Sequence, residues 1–376
     1  MADLTAPPPP PSDVIEEHRF PCSACGSDLR FAPGGGKLVC DHCGYQEQIE
    51  ETGRADAIKE LDFARAIEAK LPEAEIEETR VLSCDSCGAQ VEFDAVTHAK
   101  ECPFCASPVV ADSGTHRHIK PRGLLPFAQT EQTAHDAMAD WLGSLWFAPN
   151  GLQDYARKGR KMQGIYVPYW TFDADTKSEY RGERGTVYYE TRTRRNSDGE
   201  TETYRVQKVR WRPARGRVAR WFDDVLVLAS RSLPQKYTDA LEPWDLAAME
   251  PYRPEYIAGF RAEGYAVQLQ DGFAEARDKM DQVIRRDVKF DIGGDRQRIH
   301  DIQTQVADVT FKHILLPVWL AAYKYRGKTY RFVVNGRTGR VQGERPWSTW
   351  KIAFAVILGA IVAAGLGYFI AMQQSS

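Results

Sequence analysis

The residues in this sequence best suited to chemistry are its eight cysteines, which form two sets of identical spacing. Each set reads C-x2-C-x14-C-x2-C. A C-x2-C pair presents two thiolates to one ion from a tight turn, and two facing pairs complete the tetrahedral sulfur site that structural zinc prefers. The sequence therefore predicts two structural Zn2+ ions, one held by Cys22, Cys25, Cys40 and Cys43 and the other by Cys84, Cys87, Cys102 and Cys105.

The alternatives to zinc are a redox dithiol, disulfides and tetrathiolate iron. A redox pair is expected once, beside a βαβ pattern, and disulfides require an oxidising compartment. The proline-rich N-terminal lead has neither the basic start nor the apolar core of an export signal, so we expect the N-terminus to stay in the cytosol. Tetrathiolate iron remains as the other metal interpretation.

No other group of residues matches a catalytic pattern. The sequence has no G-x-S-x-G, no H-E-x-x-H and no dinucleotide fingerprint, and its eight histidines are scattered. The tetrapeptide RGKT at 326–329 lacks the upstream glycine of a phosphate-binding loop, because Ala322 stands there. We therefore expect a protein that is not an enzyme.

A basic stretch with interleaved aromatic residues occupies positions 177–220, with thirteen Lys and Arg against six Asp and Glu. Three interpretations stay open: the solvated face of a β-sheet, a surface for anionic lipid or an acidic protein, and a nucleic-acid site that combines charge with stacking. The candidate residues for an anionic partner are Arg192, Arg194, Arg195, Lys208, Arg210 and Arg212.

The C-terminal segment predicts a membrane span. Residues 352–372 contain no charge, and 21 helical residues cover about 30 Å, the thickness of the hydrocarbon layer. Between Phe311 and Lys351 there are nine Lys and Arg and one acidic residue, so the positive-inside rule places the large domain in the cytoplasm. We expect a single-pass tail anchor in the inner cell membrane. The residues expected at its membrane flank are Arg345, Trp347, Trp350 and Lys351. The sequence does not specify the oligomeric state.

The elements that must position these groups predict an α+β multidomain protein. A composition of 43% hydrophobic and 27% charged residues is that of globular domains and excludes collagen-like and disulfide-dense classes. Apolar residues at helical spacing between Ala55 and Lys70 favour a helix that joins the two ribbons. The predicted domains are a disordered lead (1–17), ribbon 1 (18–46), an acidic helical connector (47–79), ribbon 2 (80–110), a linker (111–123), a β-rich cytoplasmic domain with packed helices (124–346) and the tail anchor (347–376).

An internal echo suggests that the β-rich domain contains duplicated β modules. Residues 165–170 read IYVPYW and residues 314–319 read ILLPVW. Both would be opening strands, with the proline at an edge position where no N–H is needed. The alternative is a chance likeness between two aromatic strands.

Several segments together resemble a group of bacterial membrane-anchored double zinc-ribbon proteins. The likeness rests on the two cysteine sets, LWFAPN at 145–150, VPYWTFDA at 167–174 and the stretch 315–348 before the span. Such proteins are often labelled primosomal-protein-N′-like helicases or TFIIB-type zinc ribbons, but this sequence contains no Walker A motif or helicase core.

The resemblance carries over only the eight cysteines, as metal ligands, and it implies a protein partner at the membrane, with SPFH-domain or membrane-stress proteins as the expected class. Together with the anchor, it leads us to expect a non-enzymatic, tail-anchored adaptor. The alternative is a membrane-tethered zinc-ribbon protein that binds nucleic acid.

Overall fold

The computed structural model describes residues 20–50, 58–84, 89–92, 104, 113–149, 162–195, 201–325 and 328–374. Its first unit is a small antiparallel sheet that carries the first cysteine set. Glycines at positive φ, Gly34 and Gly36, allow the tight turn between its first two strands. The strands, in the order β1-β2-β3, are β1 (Leu29–Ala32), β2 (Lys37–Cys40) and β3 (Gln46–Gln48).

The segment after this sheet is mostly not helical, so the helical connector predicted between the ribbons is wrong over its described part. It contains strand β4 (Leu61–Asp62) and then only the five-residue helix α1 (Phe63–Ile67). Leu61 pairs with Phe311 of the large sheet, and the Phe63 ring packs against Phe311 and Phe172. Contacts with the large domain therefore outweigh the local helical pattern.

A second small sheet contains the position of Cys84. Its order is β6-β5-β7, and β7 includes residues that were predicted to be a linker. That linker is in part a strand because β7 pairs with β5 along its whole length, from Ile119 opposite Ile76 to Ser113 opposite Leu82. The elements of this region are β5 (Ile76–Ser83), β6 (Gln90–Glu92), β7 (Ser113–Ile119) and β8 (Gly123–Leu124).

The large domain is β-rich with packed helices, as its α+β class predicts. Its central path runs β10-β9-β13-β14-β15, with every neighbouring pair antiparallel. The elements are α2 (Glu131–Ser144), β9 (Gln163–Arg195), β10 (Thr201–Leu228), α3 (Gln235–Asp239), β11 (Glu250–Pro251), β12 (Arg261–Ala262), α4 (Leu269–Ile292), β13 (Arg296–Tyr325), β14 (Lys328–Asn335), β15 (Val341–Gly343) and α5 (Thr349–Gln374).

Helix α4 covers one face of this sheet. Its buried residues recur at spacings of three and four, as in an amphipathic helix: Leu269, Gly272, Ala276, Met280, Ile284, Val288 and Ile292. The helix ends at Gly293, whose φ of 65° lies in the left-handed region that favours glycine at a helix C-terminus. Beyond this point the face of the sheet loses its helical cover.

Strands β9 and β10 extend past the rest of the sheet as a two-stranded ribbon, which we call the arm (residues 186–195 and 201–210). β13 pairs with β9 only as far as Gly185, opposite Arg296. Further out, β9 pairs with β10 alone, ending with Arg195 opposite Thr201. The sequence Asn-Ser-Asp-Gly at 196–199 is typical of a hairpin turn and lies outside the described residues, and the strands on either side of it pair as a hairpin requires.

The two echoed strands lie side by side, and their surroundings match. Leu316 pairs with Val167 at the centre of the two hexapeptides. Each half of the domain has a short strand, then a helix, a long strand and one further strand, and each short strand runs parallel to the long strand of the other half. The indole N–H of Trp170 donates to Val267 O, and that of Trp319 to Gln129 O, both at 3.0 Å. The two halves therefore repeat one arrangement about an approximate twofold axis.

The prolines of the echo lie in central strands, so the predicted edge position is wrong. Pro168 O accepts a hydrogen bond from Ala229 N at 3.0 Å. Because proline has no N–H, position 168 cannot donate a hydrogen bond back to Ala229 O. That carbonyl oxygen instead accepts hydrogen bonds from Ala266 N and Val267 N. Gly336 does the same beside Pro317, accepting from two backbone N–H groups of the other half. The two carbonyls that the prolines cannot serve thus have other donors, and proline is therefore tolerated at positions 168 and 317.

Candidate functional site

The first cysteine set forms a compact sulfur cluster at one end of the β1–β3 sheet. Cys22 Sγ lies 3.6 Å from Cys43 Sγ, and Cys25 Sγ lies 3.5 Å from Cys40 Sγ. All four sulfurs lie within 4.8 Å of one another. A Zn–S bond of about 2.3 Å in a tetrahedron separates the sulfurs by roughly 3.8 Å, so this cluster fits one Zn2+ ion.

Two matching turns hold the sulfurs in place. Gly26 N donates to Cys22 O at 2.8 Å, and Gly44 N donates to Cys40 O at 2.9 Å. Both glycines have φ near 75°, which an L side chain rarely adopts. Hydrogen bonds from the backbone N–H and hydroxyl of Ser27 lower the pKa of Cys25 to about 6. These two hydrogen bonds favour the thiolate at Cys25, which is the form that binds metal, whereas the neighbouring sulfurs of the cluster raise the pKa of Cys43.

The second cysteine set falls largely outside the described residues, which exclude Cys87, Cys102 and Cys105. Cys84 is buried, and its N–H donates to Ala89 O at 2.8 Å. The same bond joins the equivalent residues of the first set, from Cys22 N to Ser27 O at 2.7 Å. The second Zn2+ ion remains a prediction that this shared hydrogen bond supports.

The first ribbon is docked on the large domain. Phe31 is only 1% exposed, and its ring meets that of Tyr256 at 5.4 Å between centroids. Backbone hydrogen bonds join the two parts, from Phe31 N to Ala258 O and from Gly34 N to Phe127 O, both at 2.9 Å. The metal site is therefore continuous with the core of the β domain.

The strand register sorts the charges of the arm by face, because directly paired residues point to the same side of a sheet. Arg192 pairs with Tyr204, Arg194 with Glu202, and Arg212 with Arg184. One face, which we call the basic face, holds Arg192, Arg194, Lys208 and Arg210 with Glu190 and Glu202 in the arm, and Arg184 and Arg212 at its base. Of the six residues predicted to meet an anionic partner, only Arg195 lies on the opposite face, with Arg205.

The basic face continues the side of the sheet that α4 covers. Tyr180, which precedes it on the same side of β9, donates to Asp291 of α4 at 2.5 Å. Lys208 forms an ion pair with Glu190, and the Arg210 guanidinium lies 5.3 Å from the Tyr188 ring centroid. The face begins where α4 ends and is open to solvent along the arm.

Helix α5 is long and apolar enough to cross a membrane, and the apolar part of its surface is exposed. The residues predicted at its membrane flank lie around its first turn. The Arg345 guanidinium lies over the Trp347 ring at 4.2 Å, and Trp350 is 78% exposed. Lys351 Nζ donates to the backbone oxygens of Trp146 and Ala148, at 3.1 and 2.9 Å.

An ion cluster around the buried side chains of Lys312 and Asp173, which sequence reasoning missed, joins the connector to the large sheet. Lys312 Nζ lies 2.8 Å from Glu60 Oε1 and 2.7 Å from Asp224 Oδ1. Asp224 N in turn donates to Asp173 Oδ1 at 2.7 Å. The sequence gives no signal for this cluster because Glu60 and Lys312 are separated by 252 residues.

The cluster separates the pKa values of its two interacting carboxyl groups. Burial and a hydrogen bond with Glu60 raise the pKa of Asp173 to about 7. Burial would raise the pKa of Glu60 as well, but hydrogen bonds with Asp173, Lys312 and Thr310 lower it to about 2. Near neutral pH, Glu60 is therefore the ion that pairs with Lys312, and Asp173 holds a proton part of the time.

Comparison with known proteins agrees with the metal site. Residues 16–48 match the family model described as the zinc-finger of RNA-polymerase I-specific TFIIB, Rrn7. The uncharacterized protein YdjG of Bacillus subtilis (strain 168) is 27% identical over 353 residues, which cover 92% of this chain and 95% of that protein. No solved structure matches the chain. The N-terminal unit is thus a zinc ribbon with a four-cysteine site, followed by a large β-rich domain.

Proposed function

We propose that this protein is a non-enzymatic, tail-anchored membrane adaptor. The observation that carries the proposal is the continuity from zinc ribbon to apolar helix within one chain. The ribbon shares a core with the β domain, and β15 leads to α5 through only the five residues 344–348. A rigid, metal-stabilised body held close to a bilayer suits a protein that gathers partners at the membrane surface.

The orientation and the partner belong to the same proposal. The charge excess between Phe311 and Lys351 supports a cytoplasmic ribbon and β domain, with α5 in the inner membrane. The second cysteine set would hold a second Zn2+ and offer a further rigid surface to a protein partner. SPFH-domain or membrane-stress proteins are the partner class that the sequence resemblance supports.

The experiment is purification of the full-length protein from native membranes in detergent, after nuclease treatment, with mass spectrometry of what stays bound. A stoichiometric membrane protein that survives nuclease supports the adaptor. Recovery of the chain alone, or of partners that vanish with nuclease, contradicts it. A parallel purification of the Cys25→Ser variant tests whether the partner requires the metal site.

A second candidate function, binding of nucleic acid, is favoured by the basic face of the arm. A two-stranded β-ribbon fits the major groove of B-DNA, and basic side chains on one side of it can reach the phosphates. The family model that matches residues 16–48 is described as a zinc-finger of an RNA-polymerase I-specific TFIIB protein. This match also supports a nucleic-acid partner.

Titration of fluorescent DNA and RNA duplexes with the protein in neutral-lipid nanodiscs tests the second candidate. If each of the six basic residues of the basic face contacts one phosphate, log K should fall with log salt at a slope of about −5, at roughly −0.9 per phosphate contact. No binding at low salt excludes this function and leaves the adaptor unaffected.

A further inference from the structure

The loop after α2 presents an unusual pair of features: an exposed aromatic side chain and a backbone fixed to the apolar helix. Trp146 is 81% exposed, while Ala148, two residues later, is 5% exposed. Ala148 N donates to Leu145 O at 3.0 Å, so the segment is a closed turn. An exposed tryptophan on an ordered turn is typical of a side chain whose partner is not the protein itself.

Four contacts attach this turn to the start of α5 and to the residues just before it. Lys351 Nζ donates to Trp146 O and Ala148 O, as described above. Ser348 N donates to Phe147 O at 2.8 Å, and the Phe147 ring lies 6.3 Å from that of Trp347. The turn is therefore held at the level of the helix where the apolar surface begins.

Trp146 thus joins two tryptophans that flank the helix in sequence. Trp347 is 54% exposed and Trp350 is 78% exposed. Tryptophan is enriched at the headgroup level of bilayers because its ring is apolar and its N–H still finds a hydrogen-bond acceptor there. Three exposed indoles near one end of an apolar helix fit that layer.

We propose that the turn Leu145–Pro149 is a second membrane-contact element, which places the Trp146 indole in the headgroup layer beside Trp347 and Trp350. The proposal rests on the membrane anchor proposed above. It also has a consequence for the orientation of the β domain. Two membrane contacts from distant parts of the chain fix the tilt of that domain relative to the bilayer, whereas a tether through residues 344–348 alone would leave the tilt variable.

The test uses the full-length protein labelled with 5-fluorotryptophan and reconstituted in nanodiscs that contain headgroup-nitroxide lipids. Trp146→Phe, Trp347→Phe and Trp350→Phe each remove one fluorine resonance and so assign it. We expect the nitroxide lipid to broaden the Trp146 resonance together with those of Trp347 and Trp350.

Trp221 supplies the matched control. It is 57% exposed and pairs with Asp175 of β9, which in turn pairs with Ala307 of β13. Ala307 lies thirteen residues along β13 from Leu320, which pairs with β14. At about 3.3 Å per residue this places it roughly 40 Å along the sheet from the strands that lead to α5. Its resonance should respond to a water-soluble gadolinium chelate and not to the nitroxide lipid.

The outcomes separate this inference from the anchor. If Trp347 and Trp350 broaden with the lipid but Trp146 responds only to the soluble chelate, the second contact is wrong and the anchor stands. If none of the three broadens with the lipid, the anchor itself fails. A second measurement, Lys351→Met, should release the turn and at least halve the lipid broadening at Trp146 while that at Trp350 persists.

Discussion

At the scale of single residues, the sulfur cluster gives the most direct prediction. Replacing Cys25 with Ser removes one of four thiolates, and a serine hydroxyl is a poor zinc ligand. We expect the full-length wild type to contain about two zinc ions per chain and Cys25→Ser about one, since the second set is intact. Metal analysis of the purified proteins by mass spectrometry measures this.

The matched control for the zinc measurement is Ser23→Ala, an exposed change inside the same C-x2-C turn that removes no predicted ligand. It should keep the wild-type metal content. Equal zinc in Cys25→Ser and wild type would mean that the first cluster does not bind the metal. A wild-type value near one would leave the first site in place and refute the second.

The buried ion cluster predicts a pH dependence of stability. Because folding raises the pKa of Asp173 to about 7, its stabilising contribution is complete at acidic pH and is lost as pH rises through that value. Asp173→Asn keeps an oxygen acceptor for Asp224 N and cannot ionise. Between pH 6 and pH 8, the unfolding free energy of the wild type should fall by about 1 kcal/mol relative to the variant.

Urea unfolding in detergent at the two pH values measures this difference. Using the variant as the reference removes the contributions of all other titrating groups, including His313, whose pKa burial lowers to about 4. A free-energy difference between wild type and Asp173→Asn that does not change from pH 6 to pH 8 would show that Asp173 keeps an ordinary pKa.

At the scale of elements, local signals were enough wherever the structure is local. The spacing of Cys22 to Cys43 is sufficient to predict the first ribbon, and the apolar residues from Phe273 to Ile284 recur at the helical spacing that α4 shows. The prediction of a helical connector was wrong because the backbone of this segment pairs with Phe311, which lies far away in sequence. The prediction that the two prolines lie at a sheet edge was wrong for a related reason. Backbone N–H groups from the other half of the domain complete the hydrogen bonding around them.

The arm offers an element-scale prediction, because its two faces differ in charge while sharing one hairpin. Arg194→Glu with Arg212→Glu changes the basic face, and Arg195→Glu with Arg205→Glu makes the same change in net charge on the opposite face. The first pair should lower the salt concentration that elutes the protein from heparin far more than the second. Reversing two charges that contact the polyanion removes about two ionic contacts and adds repulsion.

Equal elution of the two double variants would mean that net charge, not the basic face, controls anion binding. The same variants can be tested in the purification from native membranes. Loss of a protein partner only from the basic-face variant would place that partner on the arm, which forms the outer end of the 33-residue strand β9. At about 3.3 Å per residue, that strand length allows a reach of up to roughly 100 Å.

At the scale of the whole molecule, the central question is whether the ribbon and the β domain are one cooperative unit. Phe31 is buried against Tyr256, so loss of the metal site should destabilise more than the ribbon. The nine tryptophans all lie between Trp141 and Trp350, outside the first ribbon, so their fluorescence reports on the large domain and the helix flank. Urea unfolding followed by tryptophan fluorescence can therefore detect coupling directly.

We expect Cys25→Ser to lower the unfolding free energy reported by tryptophan by several kcal/mol, and Phe31→Ala to lower it by about 3–5 kcal/mol through the cavity it creates. Both changes weaken the same contact surface, so their effects on the unfolding free energy should not add. The double variant should be only slightly less stable than the less stable of the two single variants. Additive effects, or a tryptophan transition that is insensitive to Cys25→Ser, would describe a ribbon that folds independently on the surface. A coupled result would mean that zinc binding sets the stability of the entire body carried by α5.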